Sequence, residues 1–191
     1  MGLDQKKAKV VFHPLYFLFS IVMWILVVSW MIVIFSLSSE TGDVSAVRSQ
    51  DLVNTINSSL KLYINEALLR KTAHVLEFLV LSILAYIAMF ATKHIQSDVS
   101  WNDSKFIQMK SDNEVYIAFS LWVTALSSVA DEYHQIFVDG RSASFFDVFL
   151  DLSGAVVLMV IIRVVVSIRV IMKNKKEIVG LRGPNSSMEG F

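Results

Sequence analysis

The 191-residue chain contains no cysteine, which excludes disulfides, thiolate metal sites and a cysteine nucleophile, and leaves the redox compartment unmarked. Net charge is missing too: 17 Lys and Arg offset 17 Asp and Glu, and no basic patch alternates with aromatics. Nucleic acid is therefore not an expected partner. There is no G-x-S-x-G elbow, no Walker loop and no H-E-x-x-H pair, so none of the common hydrolase or nucleotide-binding signatures applies. Charged residues make up only 18% of the chain, against about a quarter in a soluble domain.

What is present is apolar sequence arranged in blocks. Crossing a bilayer takes roughly 20 apolar residues in a helix. Pro14 to Phe35 carries no charge at all. Thr72 to Ala91 carries only His74 and Glu77, near its start. Val115 to Ala130 is apolar and then meets Asp131 and Glu132, and Phe145 to about Val170 is interrupted by Asp147, Asp151 and Arg163. These blocks predict an all-α integral membrane protein, a bundle of four transmembrane helices. The first block follows Lys6, Lys7 and Lys9, as a signal peptide would, but apolar cores of signal peptides are only about 7–15 residues. It is expected to be a retained span.

Between spans one and two, Val53, Ile56, Leu60, Ile64 and Leu68 recur at helical spacing, with polar residues between them. This pattern predicts an amphipathic helix on the outer surface, or one packed on its neighbours. The connection 92–114 is expected to be a polar loop. The segment 173–191 is expected to be a disordered cytoplasmic tail after a membrane domain of residues 1–172.

Orientation follows from retained positive charge. Eleven Lys and Arg lie in residues 1–13, in 92–114 and after Ser167, whereas five lie in 37–71 and 131–144. Both termini are therefore expected in the cytoplasm. Arg163, near the inner end of the fourth span, is expected to snorkel.

The remaining ionisable groups gather at one membrane face. Lys71, His74 and Glu77 open the second span and fall within about a third of the helix circumference. Asp131, Glu132, His134 and Gln135 close the third, and Gly140–Arg141 makes the turn that follows. Asp147 and Asp151, one turn apart, open the fourth, with Gly154 extending their face where a small residue permits close helix approach. A carboxylate inside the hydrocarbon costs at least about 2.5 kcal/mol, so Glu77 and Asp151 must find partners inside the bundle. Singly, such residues are ordinary interfacial anchors; as a set on three helix ends they predict a shared polar site. Ion pairs that only hold helices together are the plainer alternative.

The order of these pieces resembles the VanZ-like family of bacterial membrane proteins. The resemblance is carried by Phe35–Ser36–Leu37–Ser38–Ser39, by Lys71-x2-His74-x2-Glu77, by Asp131–Glu132-x-His134–Gln135, by Gly140–Arg141 and by Asp147-x3-Asp151-x2-Gly154. Phe78 stands where the family usually has tyrosine, Asp139 where proline is usual, and Asp151 where asparagine is frequent. The resemblance implies a bacterial cytoplasmic membrane and an association with resistance to the glycopeptide teicoplanin, which acts on cell-wall precursors. It implies no particular reaction.

Three functions are compatible with these residues. The first is a site for an anionic, lipid-linked cell-envelope compound entering from the outer leaflet. Lys71 and Arg141 would engage its anionic group, with Gln135, Asp147 and Asp151 also lining the site. His74 or His134 would transfer protons beside Glu77, Asp131 or Glu132. The serines at 36, 38 and 39 are nucleophiles by location only. A metal variant would use the pairs His74-x2-Glu77 and Asp131-x2-His134 on facing helices, although Lys71 nearby opposes a bare cation. The second function is recognition of a lipid or glycopeptide without turnover. The third, ranked last, is a small transporter or proton relay.

Overall fold

The computed structural model describes residues 10–60, 65–98 and 105–181. In chain order these form β1 (Val10–Phe12), α1 (Pro14–Ser38), α2 (Gly42–Leu60), α3 (Glu66–Lys93), β2 (Gln96–Asp98), α4 (Lys105–Gln135) and α5 (Phe145–Leu181). Pro14 sits at the first position of α1, where its fixed φ suits a helix start and its missing N–H costs nothing. Asn65 caps α3, its side chain accepting a bond from the Ala67 N–H.

Among the described residues three helices are long and apolar enough to cross a membrane: α1, α3 and the Phe145–Lys173 part of α5. The 31-residue α4 has the length, but its apolar stretch is closed by Asn113–Glu114 on one side and Asp131–Glu132 on the other. It packs against α3 and α5 along its course. At the centre stands α3, which touches α1, α2, α4 and α5. Its small residues Ser82, Ala85, Ala88 and Ala91 are all buried, spaced so that neighbouring backbones can come close. Met23, Val27 and Ile34 of α1 pack on Phe78, Leu81 and Ala88 of α3. The outward sides of α1 and α5 display large apolar residues such as Leu15, Ile25, Ile32, Val157, Ile161 and Val164. An apolar surface of that extent suits hydrocarbon and not water.

At one end of the bundle β1 pairs antiparallel with β2, Val11 opposite Ser97. The connection 92–114, expected as a plain loop, therefore begins with a strand, and α4 already starts at Lys105; residues 99–104 lie outside the described residues. At the other end α1 and α4 finish while α3 and α5 begin. The helix expected between spans one and two exists as α2, but it starts earlier, and its buried stripe is Ser45, Ser49 and Val53. Leu68 belongs to α3 and is exposed, and Ile64 lies outside the described residues. The hydroxyls are tolerated on that stripe because Ser49 bonds back to the Ser45 carbonyl. α5 continues to Leu181, into the segment expected to be a disordered tail; Lys173, Lys175, Lys176 and Glu177 are favourable helix residues. Residues 182–191 lie outside the described residues. Arg163, expected to snorkel, reaches across to α4, where its Nε donates to Glu114 Oε1 at 2.8 Å.

Candidate functional site

The polar residues of the three helix ends do collect at the end where α1 and α4 stop. Gly154 brings α5 against α3: a Cβ there would lie 2.7 Å from Val75 Cγ1, so the glycine sets how closely these helices approach. Asp151, on α5, and Asp131, on α4, lie within electrostatic reach of His74 on α3.

Each carboxylate has a distinct environment. Asp131 is only 1% exposed, and its Oδ2 accepts bonds from Ser38 Oγ at 2.9 Å and Gln135 Nε2 at 2.8 Å. Its Oδ1 has no partner. Gln135 Nε2 also donates to Ser38 Oγ, closing a three-residue knot between the ends of α1 and α4. Asp151 Oδ2 accepts from Ser128 Oγ at 3.0 Å. Glu132 Oε2 accepts from the Ser144 backbone N–H at 2.8 Å, just ahead of α5, where the helix dipole favours a negative group. His74 Nδ1 and Glu77 Oε2 lie 3.2 Å apart, a salt bridge when the imidazole is protonated, and neither atom makes an aligned hydrogen bond.

The other expected residues sit at the edges of this cluster. Lys71 Nζ pairs with Asp147 Oδ1 at 2.9 Å, and the lysine is half exposed. His134 turns toward α1: its Nε2 is 2.9 Å from Ser39 Oγ and its ring lies 5.5 Å from that of Phe35. The two i, i+3 pairs weighed as metal ligands therefore do not converge. Among the described residues no three His, Asp or Glu side chains are placed to hold one ion.

Arg141 closes the end of α1. Its Nη2 donates at 3.2 Å to the Leu37 carbonyl, one of the acceptors that a helix C-terminus leaves unpaired, and its Nε donates at 2.9 Å to the Glu40 carbonyl just beyond the helix. Burial, and after it the charge of Arg70, lowers its pKa from the ordinary value; Asp131 and Glu40 oppose that shift. Next to it Gly140 adopts φ +74°, and Gly42 packs on its backbone so closely that a Cβ at Gly42 would overlap the Gly140 carbonyl. The Gly42 N–H donates to the Asp139 carbonyl at 3.0 Å. This contact seats the start of α2 on the turn before α5.

Ser38 and Ser39, expected only as nucleophiles by location, donate to Asp131 and meet His134 respectively, whereas Ser128, whose hydroxyl serves Asp151, had no signal in the sequence. Arg70 is the more telling omission. It stands four residues before His74 and seven before Glu77, the spacing of one helix face, so helical periodicity alone could have found it. Its Nη2 bonds Glu66 Oε1 at 2.5 Å, while its Nε is buried and unpartnered.

No curated protein and no solved structure matches the chain. The family model described as VanZ/LLP1 does match, over residues 19–166, which takes in α1 from its second turn, the whole polar cluster and most of α5. On that match, and with its three long apolar helices, the chain belongs to the VanZ/LLP1 family of membrane proteins.

Proposed function

We propose that this protein spans the bacterial cytoplasmic membrane four times, with α4 as the third span and both termini in the cytoplasm. The polar cluster then faces the outer leaflet, α2 lies over it, and the site binds an anionic, lipid-linked cell-envelope compound. The link to teicoplanin resistance comes through the family and fits a ligand of that kind. One observation carries the binding reading: Asp131 Oδ1 is buried without a partner, in a cluster that also holds the His74–Glu77 pair. A buried polar atom left unpaired costs about 1–3 kcal/mol, more if charged, and a ligand bringing complementary groups would remove that cost. Lys71 and Arg141 supply positive charge at the rim.

Two measurements test this. Single cysteines placed on the cysteine-free chain near Asp139 and near Gln96 should label from opposite sides of the membrane; labelling from one side overturns the topology. The lipid extract of the purified protein should contain a phosphate- or carboxylate-bearing envelope lipid that Asp131→Asn and His74→Ala variants retain poorly. Equal retention by the variants overturns the site.

A catalytic version is favoured by one contact, the 2.9 Å between Ser39 Oγ and His134 Nε2. A hydroxyl beside an imidazole is the arrangement used to activate a nucleophile. In that case Ser39→Ala and His134→Ala each abolish turnover while ligand affinity persists. If both variants lose affinity instead, His134 serves recognition.

A further inference from the structure

α4 buries polar residues along the whole of its inward face. Asn113, Ser120, Thr124 and Ser128 are each at most 4% exposed, and Asp131 ends the row at 1%. With Tyr116 between the first two, the spacing is three or four residues throughout, so these groups share one side of the helix. The row runs roughly 27 Å at about 1.5 Å per residue, close to the depth of a hydrocarbon core. Hydroxyls inside a span often serve packing alone, bonding back to their own helix as Thr124 does to the Ser120 carbonyl at 2.8 Å. Two features here go beyond packing. The row is tied near both ends to other helices: Tyr86 Oη of α3 donates to Asn113 Oδ1 at 2.6 Å, and Ser128 Oγ donates to Asp151 Oδ2 of α5 at 3.0 Å. It also carries two buried oxygens without partners among the described residues, Tyr116 Oη toward one end and Asp131 Oδ1 at the other, and Tyr116 is 4% exposed. Close packing alone does not require that unused hydrogen-bonding capacity. The cations near the Asp131 end are engaged elsewhere: Lys71 with Asp147 at 2.9 Å, His74 with Glu77 at 3.2 Å, and Arg141 with the Leu37 and Glu40 carbonyls. Asp131 and Asp151 are held by the hydroxyls of Ser38 and Ser128 and the amide of Gln135, all neutral. The smallest cation that balances a buried carboxylate is a proton.

We infer that this row is a proton path across the membrane, which loads and unloads Asp131 and Asp151. It rests on α4 being a span, as proposed above, and is independent of which lipid the outer site binds. A relay needs groups that both donate and accept, as hydroxyls and water do. Residues one turn apart on a helix face have Cβ atoms about 5–6 Å apart. One water spans that gap with two hydrogen bonds of about 2.8 Å each. At every step a hydroxyl passes its own proton to the next oxygen and takes one from the group behind it. No residue between the ends changes charge; one proton enters beside Tyr116 and one arrives on a carboxylate. Ser128, bonded to Asp151 and one turn from Asp131, connects the two acids. Both ends of the row reach water. Asp112, one turn from Tyr116 and 3.6 Å from Lys93, has 27% of its side chain exposed, and Asp147, one turn from Asp151, has 28%.

The test is proton flux through the full-length protein in liposomes, read by a pH-sensitive dye in the lumen and driven by a potassium gradient with valinomycin. The wild type should acidify the lumen several times faster than empty liposomes do. Thr124→Val keeps the side-chain shape and removes the hydroxyl; it should cut the excess flux by roughly tenfold, the effect on a barrier of losing one hydrogen-bonding partner. Thr124→Ser should restore the flux. Ser153→Ala, which removes an exposed hydroxyl of α5, should conduct as the wild type does. If Thr124→Val does not reconstitute as a folded protein, Ser120→Ala makes the same test one turn away. Wild-type flux no faster than empty liposomes overturns the inference, and so does undiminished flux in the hydroxyl-deleted variants. Cysteine labelling near Gln96 and Asp139 separates the two levels of the argument. Labels from opposite sides together with no flux overturn the path alone, whereas labels from one side remove the span through which it runs.

Discussion

Replacing Ser38 by alanine isolates one contact of the buried knot. The Ser38 hydroxyl is fully buried and donates to Asp131 Oδ2 at 2.9 Å, and Asp131 already has one oxygen without a partner. A hydrogen bond between neutral side chains inside a membrane protein averages only about 0.6 kcal/mol, because the unfolded helices also find partners. A bond to a charged acceptor is worth about 1.5–3 kcal/mol, and the carboxylate cannot turn to solvent when Ser38 is removed. Gln135 continues to serve the same oxygen at 2.8 Å, which softens the loss. The expected cost of Ser38→Ala is therefore about 1.5–2 kcal/mol, toward the lower end of that charged range. The assay is equilibrium unfolding in mild detergent with the cycle Ser38→Ala, Asp131→Leu and the double variant. In the Asp131→Leu background the serine substitution should cost less than about 0.5 kcal/mol, since the charge it served is gone. An equal cost in both backgrounds would refute the reasoning: the serine would then be a packing residue, and the knot would not couple α1 to α4.

Other outcomes follow from the same contacts. Gly42→Ala must push the α2 start away from the Gly140 carbonyl, and Gly140→Ala must hold φ +74°, so each should lower stability by about 1–3 kcal/mol, read as a drop in melting temperature. Gly154→Leu should separate α3 from α5; reduced disulfide formation between cysteines placed at Val75 and Gly154's neighbour Ala155, relative to the chain retaining Gly154, checks it. Arg141→Gln should free the Leu37 and Glu40 carbonyls and increase hydrogen exchange at residues 38–42, while exchange at Ala85 and Ala88 stays as it was. The Arg163–Glu114 pair is exposed to the extent of 60% and 36%, so its double-variant coupling should not exceed about 1 kcal/mol in detergent and should shrink with added salt.

Much of the candidate site was legible as a list before any contact was known. His74, Glu77, Asp131 and Asp151 announced themselves as ionisable groups within apolar blocks, where they need internal partners. Helical spacing placed them on inward faces, and Gly154 marked the close approach of α5 to α3. What spacing could not assign was the partner of each group. His134 shares a helix end with Asp131, yet it meets Ser39 while Asp131 meets Ser38, because neighbouring hydroxyls leaving α1 point in different directions. Arg141 read as a ligand-binding cation from its charge; its location over the last turn of α1 commits two of its donors to carbonyls. Arg70 was passed over beside Lys71, although the periodicity favoured it.

The division has a physical cause. Apolar run length, retained positive charge and the 3.6-residue repeat are local properties, so they could be read along the chain: long membrane helices, with one end of the bundle polar. Several pairings within that end join residues far apart in the chain, 93 positions for Ser38 with Asp131 and 104 for Leu37 with Arg141. Those depend on the rotation and depth at which helices pack. Rotation and depth are decided by the glycine contacts and by small residues on α3, once the helices meet.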